Sequence, residues 1–128
     1  RGIEVYDDFA HHPTAIETTL DGARKRLGER KLWAIIEPRS NTMRMGSHKD
    51  GLAHSARLAD EVIWYQPEGL DWDLQPVIAA SSNKAEVSRS LDEIIARVVN
   101  EAGEGDAVVI MSNGGFGGLH QKLITALS

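Results

Sequence analysis

The stretch from Gly2 to Ile36, GIEVYDDFAHHPTAIETTLDGARKRLGERKLWAII, decides the fold prediction. Gly2 to Asp7 has the apolar pattern of a strand, and Leu32 to Ile36 is apolar throughout, as in a buried strand. Between them, Pro13 to Leu27 is predicted to be a helix because apolar residues recur at helical spacing: Ile16, Leu20, Ala23 and Leu27. A strand, a helix and a second strand at this spacing predict a βαβ unit with parallel strands.

The rest of the chain continues the alternation. Further strands are predicted at Glu61 to Tyr65, at Val77 to Ala80 and at Ala107 to Met111. Helices are predicted at Lys49 to Leu58, at Leu119 to Leu127, and after a capping Ser82 with an apolar stripe of Val87, Leu91, Ile94, Ile95 and Val98. The predicted fold class is α/β: a Rossmann-like, mostly parallel sheet of five or six strands with helices on both faces.

Length and composition limit the classes of protein. A chain of 128 residues fits one domain, and its net charge of -5 argues against nucleic acid or an anionic membrane as the main partner. There is no cysteine, which agrees with a cytoplasmic location, and no apolar run approaches the roughly 18 residues of a membrane helix. The chain begins at Arg1, one residue before a strand pattern, and we interpret it as a fragment of a larger protein.

Unusual residues follow three of the predicted strands. The first loop is Asp7-Asp8-Phe9-Ala10-His11-His12-Pro13, the second is Glu37-Pro38-Arg39-Ser40-Asn41-Thr42, and the third is Ser112-Asn113-Gly114-Gly115-Phe116-Gly117-Gly118. In an open parallel sheet, ligands bind outside the carboxyl ends of the strands. The clustering of acids, histidines, an arginine and glycines there therefore predicts a ligand site at that edge.

Each loop allows a functional and a structural interpretation. The acids of the first loop suit a cation or ribose hydroxyls, but also a turn and a helix cap. His11 and His12 lie near a helix start, where anions are favoured, whereas adjacent histidines rarely bind one metal, so no metal site is predicted. Arg39, Arg44 and Lys49 suit carboxylates or phosphates, or form a solvated basic loop.

The glycine loop and the tryptophans are weaker signals. The third loop lacks the Lys-Ser/Thr of a nucleotide P-loop, and its glycines allow a close ligand approach or a tight turn. Trp33 and Trp64 are predicted to be core, while Trp72 lies in a loop and either covers a ligand or packs. His120, beside the glycine loop, is a minor candidate.

The same loops resemble a known family. Asp7-Asp8-Phe9-Ala10-His11-His12-Pro13-Thr14 is similar to the Asp-Asp-Tyr-Gly-His-His-Pro-Thr signature that opens the C-terminal domain of the muramate-using Mur ligases. The second loop resembles the Gln-Pro-His-Arg-Tyr-Thr-Arg of the L-alanine-adding members, but has Ser40 and Met43 in place of the arginines. The third loop, through Leu119-His120, is similar to that of the members that recycle murein tripeptide.

The resemblance implies a function for the whole enzyme. Residues 1–128 would be the C-terminal domain of a three-domain, ATP-dependent ligase that joins L-Ala-γ-D-Glu-meso-diaminopimelate to UDP-N-acetylmuramate in cell-wall recycling. ATP activates the muramate carboxylate as an acyl phosphate, which the alanine amine attacks. The P-loop and most Mg²⁺ ligands would belong to the N-terminal and central domains, so the fragment alone is expected to be inactive.

Site residues carry over by position in the motifs. Asp8 would contact the ATP ribose, and His11 with His12 would face the acceptor and the acyl phosphate. The acceptor pocket would be formed by Arg39, Ser40, Asn41, Thr42, Arg44, Asn113, Gly114, Gly115, Phe116 and Gly117.

Alternatives from other classes remain. The first is the L-alanine ligase of the same family, and the second is a non-catalytic nucleotide-binding module. A receiver domain is set aside, because its phospho-acceptor and lysine positions read Tyr65-Gln66-Pro67 and Ser112-Asn113 here.

Overall fold

The computed structural model describes residues 3–8, 13–37, 53–66, 75–81, 84–111 and 118–127. Within these residues the strands are β1 (Glu4–Asp8), β2 (Leu32–Ile36), β3 (Glu61–Tyr65), β4 (Lys84–Ser88) and β5 (Ala107–Met111). The helices are α1 (Pro13–Leu27), α2 (Gln75–Ala80), α3 (Leu91–Glu101) and α4 (Leu119–Leu127). Residues 53–55 add one helical turn, inside the helix predicted from Lys49 to Leu58.

The described strands form one sheet in which every pairing is parallel. Their order is β1-β5-β2-β3-β4, so the last strand lies between the first two. Long connections join parallel strands, and here they carry helices, which confirms the predicted α/β class.

Helices cover both faces of the sheet. On the first face, Ile16 and Leu20 of α1 and Val77 of α2 pack with Ala34 and Val109 of the sheet. On the second face, α3 and α4 contribute the buried residues Ile94, Val98, Leu119, Leu123 and Leu127. Because β2 and β5 are buried on both faces, their sequences are continuous apolar runs without a polar alternation.

The boundaries of α1 follow from its sequence. The core stripe of Ile16, Leu20, Ala23 and Leu27 is buried, as its spacing predicted. Gly28 ends the helix with a φ of 65°, and its amide donates to the Arg24 carbonyl at 2.9 Å. Glycine adopts this left-handed conformation without a steric cost, which is why it stops the helix.

Two predicted elements between β3 and β5 were wrong. The strand predicted at Val77 to Ala80 is part of α2, since a short apolar run suits either structure and Pro76 favours a first helical turn. The helix predicted to follow Ser82 begins instead at Leu91, with Ser90 as its N-cap. Val87 belongs instead to β4, in which polar and apolar residues alternate. The spacing of Val87 from Leu91 also fits a helix, and it was therefore assigned to the helical stripe.

Candidate active site

Three strand ends lie side by side at the carboxyl edge of the sheet. Asp8 of β1 is in register with Met111 of β5, and Met111 is in register with Ile36 of β2. The Glu37 amide donates to the Met111 carbonyl at 2.9 Å, which continues the β2–β5 pairing by one residue. The three loops singled out in the sequence therefore start from adjacent strands at one level of the sheet.

The chain leaves these strands toward opposite faces. After β1 it enters α1 on the first face, whereas after β5 it enters α4 on the second face. Where neighbouring strands send their connections to opposite faces, a crevice opens at the carboxyl edge, and this is where ligands bind in sheets of this type. The strand order thus favours a site at the carboxyl end of β5, between the ends of β1 and β2.

Two helices begin at this crevice. Pro13 starts α1 five residues after Asp8, and Leu119 starts α4 just after Gly118, whose φ is 75°. Neither helix has an acidic residue in its first turn, whereas the first turn of α3 has Asp92 and Glu93. The positive ends of the α1 and α4 dipoles are therefore not offset by their own side chains, which favours an anionic ligand.

The described residues include few of the predicted site residues. Asp8 is the last residue of β1, and His120 is half-buried in the first turn of α4. The other predicted site residues lie outside the described residues: His11, His12, Arg39, Ser40, Asn41, Thr42, Arg44, Asn113, Gly114, Gly115, Phe116 and Gly117. Lys49, Trp72 and Ser82 also lie outside them.

A charged cluster at the amino end of the strands, opposite the crevice, was not predicted from the sequence. The carboxylate of Glu61, at the amino end of β3, is 3% exposed and forms ion pairs with Lys31 and Arg97. Arg97 also pairs with Glu86 and Glu101. The only sequence signal for this cluster is a glutamate directly before an apolar strand, and that pattern is too common to predict a buried ion pair.

Neighbouring positive charges lower the pKa of Glu61. Burial alone would raise the pKa of its carboxyl group, but the hydrogen bond from Lys31 and the positive charges of Lys31, Arg97 and Lys84 hold it below the ordinary value. Shifted pKa values occur at functional sites and in structural ion pairs alike. Because this cluster lies at the end of the sheet remote from the crevice, we assign it to stability.

Trp33 and Trp64 are both fully buried, as predicted. The indole N–H of Trp33 donates to the Asp106 carboxylate at 3.2 Å, and the Lys31 ammonium lies 4.9 Å from the centre of its ring. Among the described residues, the indole N–H of Trp64 has no hydrogen-bond partner. The two side chains thus differ in polar contacts but not in burial.

Metal-binding clusters and membrane-spanning helices are both absent from the described ranges. These ranges contain no group of three or more histidine, cysteine, aspartate or glutamate residues arranged to hold a metal ion. No helix in them is both long and apolar enough to cross a bilayer.

Known proteins share this fold and sequence. The family described as "Mur ligase, glutamate ligase domain" matches residues 1–114. The chain is 48% identical over 128 residues to the UDP-N-acetylmuramate–L-alanyl-γ-D-glutamyl-meso-2,6-diaminoheptandioate ligase of Escherichia coli K12, covering 99% of this chain and 28% of that enzyme. The chain is also 44% identical over 126 residues to the enzyme of the same name from Haemophilus influenzae Rd. That match covers 98% of this chain and 28% of that enzyme.

A solved structure gives the same result. The murein peptide ligase of Psychrobacter arcticus 273-4 superposes with a TM-score of 0.90 at 58% identity, covering 98% of this chain and 28% of that one. The chain therefore spans between a quarter and a third of the length of these relatives. The match of fold, sequence and family along nearly the whole chain confirms the resemblance seen in the loops: the chain belongs to the Mur ligase family.

Proposed function

We propose that the protein is the nucleotide- and acceptor-binding C-terminal domain of an ATP-dependent ligase that joins L-Ala-γ-D-Glu-meso-diaminopimelate to UDP-N-acetylmuramate. The observation that carries this is that the three strands that precede the family motifs end side by side at the carboxyl end of the sheet. Asp8, Met111 and Ile36, from which the three loops start, are consecutive neighbours across the sheet. The relatives that match nearly the whole chain carry this activity in their names.

Asp8 is proposed to bind the ribose of ATP. It ends a strand at the carboxyl edge, where acidic side chains of nucleotide-binding sheets accept hydrogen bonds from ribose hydroxyls. The start of α1, five residues later, has no acidic residue in its first turn and suits the negative charge of phosphates or of the acyl phosphate. His11 and His12, between Asp8 and α1 in the sequence, are proposed to face the reacting groups.

The second and third loops are proposed to form the acceptor pocket. They follow β2 and β5, which are adjacent, and the start of α4 adds a second positive helix end beside the third loop. The tripeptide carries several carboxylates, and arginine binds a carboxylate through two parallel hydrogen bonds. Arg39 and Arg44 are therefore the proposed acceptor-binding cations, with Ser40, Asn41, Thr42 and the loop from Asn113 to Gly117 shaping the pocket.

ATP supplies the phosphoryl group that activates the muramate carboxylate, and Mg²⁺ is proposed to be held mainly by the other domains. A nucleotide is proposed for this site because Asp8 ends β1 and α1 begins five residues later without an acidic residue in its first turn. No metal site is proposed on this domain itself. Its contribution is to bind and orient the nucleotide and the acceptor when it closes over those domains.

A direct assay tests the proposal. The full-length enzyme is incubated with ATP, UDP-N-acetylmuramate and tripeptide, and the products are identified by mass spectrometry. We expect UDP-N-acetylmuramyl-tripeptide together with ADP and phosphate, in amounts that depend on all three substrates. Nucleotide binding without any ligation would support the non-catalytic module instead. Residues 1–128 alone serve as the negative control, since catalysis requires the phosphate-binding loop that their sequence lacks.

A further inference from the structure

Two charged side chains of α1 bind the chain that leads into β3. Residues 53–60, the return segment, carry the chain from the connection after β2 to the amino end of β3. Arg24, in the last turn of α1, donates to the Leu58 carbonyl at 2.7 Å and pairs with the Asp60 carboxylate at 2.9 Å. That carboxylate also accepts from the Leu32 amide at 2.7 Å. The end of the return segment is therefore fixed at the amino end of the sheet.

The second of these side chains is Glu17, on the second turn of α1. Its carboxylate pairs with the Arg57 guanidinium and lies 3.5 Å from Nε2 of His54. The same guanidinium donates to the His54 carbonyl at 3.0 Å, so one acid binds a whole turn of the return segment. At a rise of 1.5 Å per residue, Glu17 lies about 6 Å from the start of α1 at the crevice and about 10 Å from Arg24.

The return segment thus runs beside α1, from near the crevice to the amino end of the sheet. Its buried residues Ala53, Ala56 and Ala59 belong to the core of the first face. A methyl side chain makes few dispersion contacts, so these residues bury the segment without locking its position along the helix. We infer that the contacts of Glu17 and Arg24 set this position.

The beginning of the return segment is also the end of the connection that carries the second loop. This connection leaves the sheet at Glu37, whose amide donates to the Met111 carbonyl of β5 at 2.9 Å. The described residues resume at Ala53, next to the residue that Glu17 contacts. Both ends of the connection are therefore fixed beside the crevice, one at the end of β5 and the other near the start of α1.

We propose that Glu17 is a positioning residue: by binding Arg57 and His54, it holds the second-loop connection against α1 and sets the distance between the acceptor and nucleotide sides of the crevice. This role rests on the proposed function, which assigns the acceptor to the second loop. The Glu17 and Arg57 side chains are 41% and 38% exposed, and ion pairs of this exposure contribute little to overall stability. Loss of the contact should therefore shift the segment without unfolding the domain.

Amide hydrogen exchange of the ligand-free full-length protein tests the contact independently of ligation. The Arg57 amide donates to the His54 carbonyl at 3.2 Å, within the turn that Glu17 binds. The Asp60 amide, which donates to the Leu32 carbonyl at 2.8 Å, lies at the end that Arg24 fixes. We expect Glu17→Ala to accelerate exchange at Arg57 by about threefold or more and to leave Asp60 unchanged. Equal exchange at Arg57 in wild type and variant would overturn the proposal.

Steady-state kinetics of the full-length enzyme test the consequence for the acceptor. We expect Glu17→Ala to raise the KM for tripeptide by about threefold to fivefold, while kcat and the KM for ATP stay within about twofold of wild type. Asp21→Ala is the matched control, because Asp21 lies one turn farther along α1 and pairs with Lys25 of the same helix. It should leave all three constants unchanged. The charge-reversed variant Glu17→Arg/Arg57→Glu should return the KM for tripeptide to within about twofold of wild type.

Three kinetic results would overturn the positioning role. They are an unchanged KM for tripeptide in Glu17→Ala, an equal rise in Asp21→Ala, and a charge-reversed variant without recovery. A wild-type protein without ligase activity, in which Glu17→Ala still accelerates exchange at Arg57, would refute the proposed function alone, because the exchange result supports the contact that holds the return segment.

Discussion

Asp8 and Met111 are paired in register, and each is the last residue of its strand. The last aspartate of β1 and the residue that precedes the glycine-rich loop are therefore neighbours in space, although they lie about 100 residues apart in the chain. Ile36, which precedes the second motif, lies on the other side of Met111. We infer from this row of three strand ends that the proposed nucleotide and acceptor sites lie beside each other.

Replacement of Asp8 should weaken ATP binding selectively. In the full-length enzyme we expect Asp8→Ala to raise the KM for ATP by about tenfold or more, because a hydrogen bond to a charged group contributes about 1.5–3 kcal/mol. The KM for tripeptide should change much less. Steady-state kinetics with each substrate varied in turn gives both values. The control is Glu4→Ala at the opposite end of β1, which should leave both constants unchanged. An Asp8→Ala enzyme with an unaltered KM for ATP would remove this assignment.

Replacement of Arg39 should weaken acceptor binding. We expect Arg39→Ala to raise the KM for tripeptide by about tenfold or more, which corresponds to the loss of one charge-assisted contact of ~1.4 kcal/mol or above. The KM for ATP should stay close to the wild-type value. Arg89→Ala, an exposed arginine of the turn after β4, is the matched control for loss of charge. An unchanged KM for tripeptide in Arg39→Ala would contradict the proposed role of the second loop but not the ligase assignment.

Glu61 should make folding stability depend on pH. Its pKa is lowered in the folded protein, so the unfolded chain binds more protons in the acid range and stability rises with pH there. The stabilisation is complete above the unfolded pKa of about 4.3 and is lost as the pH falls through the lower, folded pKa. We expect Glu61→Gln to cost roughly 3 kcal/mol at neutral pH, since it breaks a buried ion pair.

Urea unfolding of wild type and Glu61→Gln between about pH 7 and pH 3 measures this effect. The difference in free energy of unfolding between the two proteins should shrink as the pH falls. Glu104→Gln, in the exposed turn before β5, is the matched control and should show little difference at any pH. A difference for Glu61→Gln that stays constant down to pH 3 would show that its charge does not stabilise the fold.

The two buried tryptophans should respond differently to replacement by phenylalanine. Trp33→Phe removes a hydrogen bond to Asp106, whereas Trp64→Phe removes a buried N–H that has no partner among the described residues. Both variants lose a similar apolar area. We therefore expect Trp33→Phe to lower the free energy of unfolding by about 1 kcal/mol more than Trp64→Phe. Equal losses, or a larger loss for Trp64→Phe, would contradict the assignment of these polar contacts.

The sequence predicted local structure better than it predicted pairing. The unit from β1 to β2 has strong signals, with a Gly28 stop and two clear apolar patterns, and it was predicted nearly to the residue. Two predictions failed because their local patterns are ambiguous. The four residues from Val77 to Ala80 suit a strand or a helix and belong to α2, and Val87 fits both a strand alternation and a helical stripe but belongs to β4. The position of β5 between β1 and β2 depends on contacts between distant residues and has no local signal. Of the candidate site, the sequence predicted that the motif loops follow strands, but not that Asp8, Met111 and Ile36 are neighbours.

The choice of acceptor tests the central claim most directly. In the tripeptide the alanine carboxylate is already an amide, so an arginine that binds free alanine would be left desolvated without a partner, at a cost of roughly 1–3 kcal/mol or more. We infer that Ser40 and Met43, in place of arginines, avoid that cost. The measurement is a competition in which the full-length wild-type enzyme receives ATP, UDP-N-acetylmuramate and equal concentrations of L-alanine and tripeptide. We predict that the tripeptide product exceeds the alanine product by about tenfold or more. An excess of the alanine product would contradict the recycling assignment and identify the enzyme as the L-alanine ligase.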